Sequence, residues 1–562
     1  MATQISNVSF KYKDIISKSI LISSGSPAVY QLRPKEEKFG TLTRKTVGEK
    51  NLNKTNKTIL LVGETGTGKS TLINALLNYT MGVKFEENIW FKIVEDEKRS
   101  QSESQTSDEE GGQSKSQTSD EKRSQIESQT SDVIVYEIFG FKDKTLSFSL
   151  TIIDTPGYGS TRGIELDVVV SQRLFDLFRS DDGVHEISAV GLVLKASENR
   201  VSDRQKYIFD SVTSLFGKDI EKNIVALITN SNGITPKNAL EALKSANIKC
   251  AIDEENQPVH FMFDNCQKEE RIKKTKLALG NAWRVTETGM EEFKDFLEKS
   301  KPQELKTTLE VLNARIRITA CIHNLQERIQ LIERKQKEIQ QTEEALKKHE
   351  QEMKEDENFT VEVDEVYRDK EPIRGGRRWL FFYAGAVTCN ICKENCHHPG
   401  CTLARSPARC EIMEDGYCTV CTKQCPAEDH VKEDWIYVDK TRKVMKTMKE
   451  LKQKYKGEQQ EDLLLSLKRE KEKLDKEKND WLDEAYQHVV TLEEKALNVN
   501  SMSTHVHLDV LIEKMKERGD SEKVKKLVEM KRRVGEGTMT DTLWYMFGKL
   551  KAAGKAVKDK VM

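Results

Sequence analysis

Long apolar runs are missing from this chain: the longest, around residues 379–387, is about half of the roughly 20 residues that a membrane-spanning helix needs. The opening MATQISNVSFKYKD lacks the apolar core of a secretion signal. Both absences predict a soluble, cytoplasmic protein. A net excess of charge is missing too, because 91 basic and 92 acidic side chains cancel to −1 although charged residues make up 33% of the sequence. That balance excludes a broadly basic nucleic-acid binder, so no nucleic-acid partner is expected, and it points to long solvated helices. Cysteine is sparse outside one stretch, since eight of the eleven fall between Cys389 and Cys425. Such clustering favours metal in a reducing compartment over a disulfide framework.

At 562 residues the chain is too long for one core. Residues 1–57 carry no usable motif and read as an N-terminal extension packed on the next domain. Over residues 58–300, apolar runs such as TILLV, VIVYEIF, SLTIID, AVGLVLKA, NIVALIT and PVHFMF alternate with amphipathic helical segments. That order predicts an α/β domain with a mainly parallel sheet covered on both faces. An insert over about 96–132 interrupts it: SQTSD recurs at 104–108, 116–120 and 128–132, in a Ser/Gln/Glu-rich context that cannot bury a core and is expected to be disordered.

Beyond residue 301 the period changes. Val311, Ile318, Ile322, Leu325, Ile329, Ile332, Ile339 and Leu346 trace a coiled-coil seam over 301–358, and Val444, Met448, Leu451, Leu467, Leu474, Trp481, Ala485 and Leu492 trace a second over 433–498. A cysteine-rich module at 359–432 lies between them. The symmetry suggests either an antiparallel hairpin with the module at its tip or parallel dimeric coils. Residues 499–562 read as C-terminal helices. Their last part sets Leu543, Phe547, Leu550, Val557 and Val561 against Lys549, Lys551, Lys555, Lys558 and Lys560, a basic amphipathic pattern suited to a membrane surface or to the protein's own first domain.

The segment Gly63-Glu64-Thr65-Gly66-Thr67-Gly68-Lys69-Ser70 fits the phosphate-loop pattern in full, between a predicted strand and a predicted helix that opens with Thr71. Backbone N–H groups of such a loop curl around phosphates at a helix N-terminus. Lys69 is then the catalytic cation on the β and γ phosphates, and the Ser70 hydroxyl binds Mg²⁺. Downstream, IIDTPG ends a strand on Asp154, which can hold the Mg²⁺ shell, and Gly157 can offer its N–H to the γ-phosphate.

GETGTGKSTLIN followed by IIDTPGYG resembles the septin and immunity-associated (GIMAP) GTPases. Over most of the chain the sequence resembles a group of vertebrate, mainly fish, G-domain proteins with coiled coils and a cysteine cluster. The resemblance implies GTP or GDP as ligand, slow hydrolysis and pairing of G domains. It also implies a switch threonine on the Mg²⁺. Thr106, Thr118 and Thr130 share the SQTSD context, and Thr130 fits best because it precedes the strand VIVYEIF. By position LITNSNG is the guanine-reading motif, with Asn230 and with Asn232 where these GTPases carry aspartate. Guanine offers two donors to a carboxylate, and an amide forfeits part of that pair at a cost of about 1–3 kcal/mol in a dry site. Asn265, in FMFDN, matches a later base-contacting position. Tyr158 follows the DTPG glycine, where fast GTPases have a water-orienting glutamine. A nucleotide-stabilised structural protein without turnover is therefore the alternative to a slow GTPase switch or scaffold.

The module reads Cys389-x₂-Cys392-x₃-Cys396-His397-His398-x₂-Cys401, then Cys410, then Cys418-x₂-Cys421-x₃-Cys425-x₄-His430. Two CxxC pairs with further ligands suit two closed structural zinc sites. The assigned ligands are Cys389, Cys392, Cys401, Cys418, Cys421, Cys425 and His430, with His397 or Cys396 as the eighth, and spacing does not sort them between ions. A RING-type ligase needs a long gap after its first CxxC, which is absent here. Partners are expected through self-association of G domains or coils and through the stalk or zinc module. Cys250, Cys266 and Cys321 have no activating neighbours and read as filler.

Overall fold

A computed structural model describes residues 11–39, 42–50, 53–94, 133–139, 146–156, 164–349, 360–373, 385–398, 406–447, 449, 450, 453, 460–497 and 502–535. They fall into two compact units that divide after Leu309.

The first unit is built on an 8-stranded sheet. Its strands are β1 (Lys35–Phe39), β2 (Leu42–Val47), β3 (Asn56–Val62), β4 (Ile134–Ile138), β5 (Ser149–Asp154), β6 (Ala189–Lys195), β7 (Ile224–Thr229) and β8 (His260–Met262). The spatial order is β8-β7-β6-β3-β5-β4-β2-β1. Neighbours from β8 to β5 run parallel, as do β2 and β4, whereas the pairs β4/β5 and β1/β2 are antiparallel. The sheet is thus mixed, with the mainly parallel part at its centre. Ile59, Leu60, Leu61 and Val62 on β3 are all 0% exposed, each contributing about 1.5–3 kcal/mol of burial. A strand covered on both faces has to be a continuous apolar run.

The boundary at residue 57 does not hold. β1 and β2 come from the segment read as an extension, and Ala28–Gln31 pairs with Ile89–Lys92 in a second, 3-stranded sheet. That small sheet packs on the helix Lys69–Met81, and polar side chains of the helix anchor it. Asn78 accepts from Phe91 N at 2.9 Å and donates to Phe91 O at 2.7 Å, while Asn74 Oδ1 accepts from Ile93 N at 2.8 Å. The helix is therefore buried on nearly every side, and its buried polar side chains Asn74 and Asn78 are those that bond the small sheet.

Among its described residues the second unit gathers the helices Lys306–Lys348, Gln460–Lys495, Met502–Arg518 and Ser521–Gly535. Val311, Ile318, Ile322, Leu325 and Ile329 pack with Leu482, Ala485, Val489 and Leu492, and with Leu508, Leu511, Met515, Leu527 and Met530. The contacts Glu310–Lys495, Arg328–Trp481 and Gln336–Asp475 step in opposite senses along the first two helices, so these run antiparallel. The seam residues Val311, Ile318, Ile322, Leu325, Ile329, Ala485 and Leu492 are buried in this bundle.

Two expectations need correction. Residues 435–447 are not helical: Thr360–Pro372 and Trp435–Thr447 form a long antiparallel ribbon, which takes Val444 out of the second seam. The cysteine module also does not sit at the tip of the helical pair. The ribbon turns back along the long helix, with Gln341 and Glu338 bonded to the backbone of Asp364 and Val366. It thereby delivers the module beside Arg317, Asn324 and Arg328.

Among the described residues no helix is long and apolar enough to cross a membrane. The basic tail and the repeat insert lie outside the described residues.

Candidate nucleotide site and metal centre

β3 ends at Val62, and the chain turns through residues 63–68 into the helix that begins at Lys69. Gly66 (φ +85°) and Gly68 (φ +96°) occupy the left-handed region, which L side chains reach only with strain. Gly63 is required for space: a Cβ there would stand 2.6 Å from the Val193 carbonyl oxygen and 2.9 Å from Thr67 Oγ1. Thr67 Oγ1 donates to the Glu64 carbonyl at 2.9 Å, and Thr229 Oγ1 donates to the Thr67 carbonyl at 2.6 Å, which ties the loop to the end of β7.

Lys69 is 7% exposed and its Nζ donates to the Gly63 carbonyl at 2.7 Å and the Glu64 carbonyl at 3.3 Å. Burial lowers its pKa, and the charges of Asp154 and Glu64 work against that shift. Asp154, 0% exposed, ends β5 beside β3. Thr155 Oγ1 next to it donates to the Leu61 carbonyl at 2.9 Å. A cation and a carboxylate thus converge at the carboxyl ends of two central parallel strands, where α/β sheets bind ligands. An ammonium seated on neutral carbonyls has a stronger acceptor in any phosphate that enters the loop.

Ser70 and Thr71 line a cavity of about 60 Å³ together with Asn74, Trp90, Lys92, Val94, Asn265 and Lys268. Lys92 and Lys268 escaped the sequence reading, since each comes from an element remote from the loop in sequence. Both line this cavity beside Ser70 and Thr71. Asn265 has a buried Nδ2 without a hydrogen-bond partner, a donor that a ligand can use. Asn230 has a positive φ of 53°. Asn232 is exposed, and its Oδ1 accepts from Ile234 N at 3.0 Å, so its oxygen is engaged by its own turn. Thr130 and Gly157 lie outside the described residues.

In the second unit the ligand atoms of Cys389, Cys392, Cys421 and Cys425 lie within 4.8 Å of one another, as do those of Cys396, Cys418, Cys421 and His430. Cys421 belongs to both groups. Cys389 ends a strand (Ala386–Cys389), and His430 opens its sheet neighbour (His430–Glu433). Backbone N–H groups point at the sulfurs: Cys392 N at 3.3 Å from Cys389 Sγ, Cys421 N at 3.4 Å from Cys418 Sγ, and Cys425 N at 3.2 Å from Cys421 Sγ. Such donors stabilise thiolates. Side-chain hydrogen bonding from Cys396 holds the Cys418 thiol well below its usual range, and the same effect from Cys389 lowers Cys421.

His430 Nδ1 lies 2.9 Å from the Pro426 carbonyl, which leaves Nε2 buried without a hydrogen-bond partner. One ring nitrogen on a backbone carbonyl and the other turned to the thiols is the arrangement of a metal-bound histidine. The donor set fits zinc. His397 stands apart from both groups, with Cys410 and Glu411; sequence reading left Cys410 unassigned and passed over Glu411. Cys401 lies outside the described residues. Among the other thiols, burial pushes Cys250 to about 11 and Cys266 and Cys321 to about 12, consistent with inert filler.

Residues 53–165 match the family model described as Septin. That match supports a phosphate-loop GTPase domain in the first unit. No curated protein matches the chain. Among solved structures, Toc33 of Arabidopsis thaliana with Mg²⁺ and GMPPNP is similar at 16% identity, with 44% of this chain and 88% of that chain covered and a TM-score of 0.26. Toc33 with GDP and Mg²⁺ gives 16%, 44%, 87% and 0.27. The bacterial selenocysteine-specific elongation factor EF-Sec gives 15%, 41%, 29% and 0.21. Likeness at that level assigns no activity to this chain.

Proposed function

We propose that the chain is a GTP-binding switch or oligomerising scaffold with slow hydrolysis. Its first unit binds GTP or GDP with Mg²⁺ and pairs with a second copy according to nucleotide state, and its second unit presents a zinc-held module to other proteins. The carrying observation is the convergence of Lys69, Ser70 and Asp154 at the ends of β3 and β5 within the septin-like segment. In this reading Lys69 neutralises the β and γ phosphates, and Ser70, Asp154 and Thr130 complete the Mg²⁺ shell. Gly157 contacts the γ-phosphate, and Asn230, Asn232 and Asn265 face the base. The Lys92 and Lys268 ammonium groups add attraction near Ser70 and Thr71.

In the module Cys389, Cys392, Cys421 and Cys425 would hold one zinc ion and Cys396, Cys418 and His430, with Cys421 common to both groups, a second, and metal would supply much of the folding energy of a stretch with few apolar residues. The thiols are expected to stay reduced, in the cytoplasm. The basic C-terminal tail is the segment we assign to membrane-surface contact.

A structural protein without turnover is the second reading, favoured by the Asn232 oxygen that its own turn already engages. Binding of fluorescent GTP, GDP, XTP and ATP to the full chain with Mg²⁺, followed by phosphate release, separates the two. Preferential GTP binding with slow release, lost in Lys69→Ala, supports the switch. Binding without release supports the structural role, and absence of guanine preference removes the GTPase reading.

A further inference from the structure

Beyond the two cysteine groups, His397, Cys410 and Glu411 form a separate cluster. The three side chains are almost fully enclosed: His397 and Glu411 are 8% and 9% exposed, and Cys410 is 3% exposed. His397 Nδ1 lies 3.1 Å from Cys410 Sγ and 3.5 Å from Glu411 Oε2, and Cys410 Sγ lies 3.6 Å from Glu411 Oε2. Nitrogen, sulfur and oxygen thus make a closed triangle. Zinc with bonds of about 2.0–2.3 Å in tetrahedral geometry sets ligand–ligand separations of about 3.3–3.6 Å. The triangle has the size of one face of that tetrahedron.

Hydrogen bonding alone fits the triangle less well. The imidazole brings one proton to Nδ1, the thiol brings one, and an ionised carboxylate brings none. Two donors serve two edges and leave the third as a buried contact between polar atoms, whereas one cation at the centre satisfies all three. The cluster is also mechanically held. His397 ends the strand Glu394–His397, and Arg317 of the long helix donates through Nε to the Glu411 carbonyl at 3.2 Å and pairs with Glu414 at 2.9 Å. The ligands therefore sit on braced backbone.

We infer that His397, Cys410 and Glu411 bind a third zinc ion, distinct from the pair at the two cysteine groups. Among the described residues three side chains offer it ligand atoms, and the fourth position of a tetrahedral ion falls to a further donor such as water, a thiolate or an imidazole. The inference rests on the zinc reading of the module, and metal counting separates its failure from that of the wider reading.

The test is elemental analysis of the full chain, purified without chelator and normalised to protein by amino-acid analysis. Three zinc ions per chain are expected, falling to two in Cys410→Ala and in Glu411→Gln. The Co²⁺-substituted protein should show a thiolate-to-cobalt charge-transfer band, part of which is lost in Cys410→Ala, and imidazole added to wild type should shift d–d bands that stay fixed in that variant. Two ions in wild type, or a count unchanged by both substitutions, overturns the third site and leaves the paired centre standing. No bound metal overturns both. Should Cys410→Ala misfold, Glu411→Gln with its helical circular dichroism intact carries the comparison.

Discussion

Arg328 on the long helix and Glu394 in the cysteine-rich module meet at 2.5 Å, with side chains only 6% and 9% exposed. The same guanidinium donates to the Val420 carbonyl at 2.6 Å and lies 4.2 Å from the centre of the Trp481 ring, so one side chain joins module, long helix and neighbouring helix. Glu394 also accepts from Thr422 N at 3.0 Å.

A buried charge without its partner is far costlier than the pair is valuable. Arg328→Ala should therefore destabilise the second unit by about 3–5 kcal/mol, read as a lower urea midpoint for the helical signal. The double variant Arg328→Met with Glu394→Leu should recover much of that loss, because neither charge is then stranded.

Gly63→Ala places a methyl group 2.6 Å from the Val193 carbonyl. The loop must shift away from β6, at a cost of about 1–3 kcal/mol. Titration with labelled nucleotide should show affinity reduced at least about tenfold, whereas Gly66→Ala, at a position with nothing within 4 Å, should act only through backbone strain.

Asn232→Asp supplies two oxygens in place of one. The first can keep the bond to Ile234 N, and the second can accept from the base. The expected outcome is a rise of about 10- to 100-fold in preference for GTP over XTP, since guanine has a donor where xanthine has an acceptor. Competition binding measures it. An unchanged ratio would remove residue 232 from the base site.

Burial pushes the Glu327 carboxyl up to about 7, against the opposing effects of its hydrogen bond from Asn395 and the charge of Arg368. Its folded-state pKa lies above the unfolded value, so the folded chain holds the extra proton between about pH 4.5 and pH 7. Stability of the second unit should then fall as pH rises through that window, by about 1–2 kcal/mol after allowance for partial exposure. Glu327→Gln should flatten this part of the profile, as followed by urea midpoints at several pH values.

How much of this was legible in the sequence depended on range. The loop at 63–70 could be read because its glycines, lysine and serine act within one turn. The strand at 35–39 could not, because Lys35, Glu36, Glu37 and Lys38 show no apolar alternation and find their place only as an edge strand. The ribbon was misread for a related reason. Its stabilising pairs, Glu362–Lys443, Glu365–Arg442 and Asp369–Lys440, join residues some seventy or more positions apart, while Val444 happens to stand at heptad distance from later apolar residues. The metal ligands were recognisable as residue types. Their grouping required the fold, since spacing does not show that Cys421 belongs to two sets or that His397 turns toward Cys410.

Pro372 pairs with Trp435, and Ile373 N donates to the Asp434 carbonyl at 2.8 Å, so the chain enters and leaves the module through adjacent strands. In topological terms residues 374–433 are the loop of a single hairpin. A genome could insert or exchange such a cassette without rerouting any helix, and an engineer who replaced it by a two-residue Asn-Gly turn would also have to neutralise Arg328, whose buried partner Glu394 leaves with it.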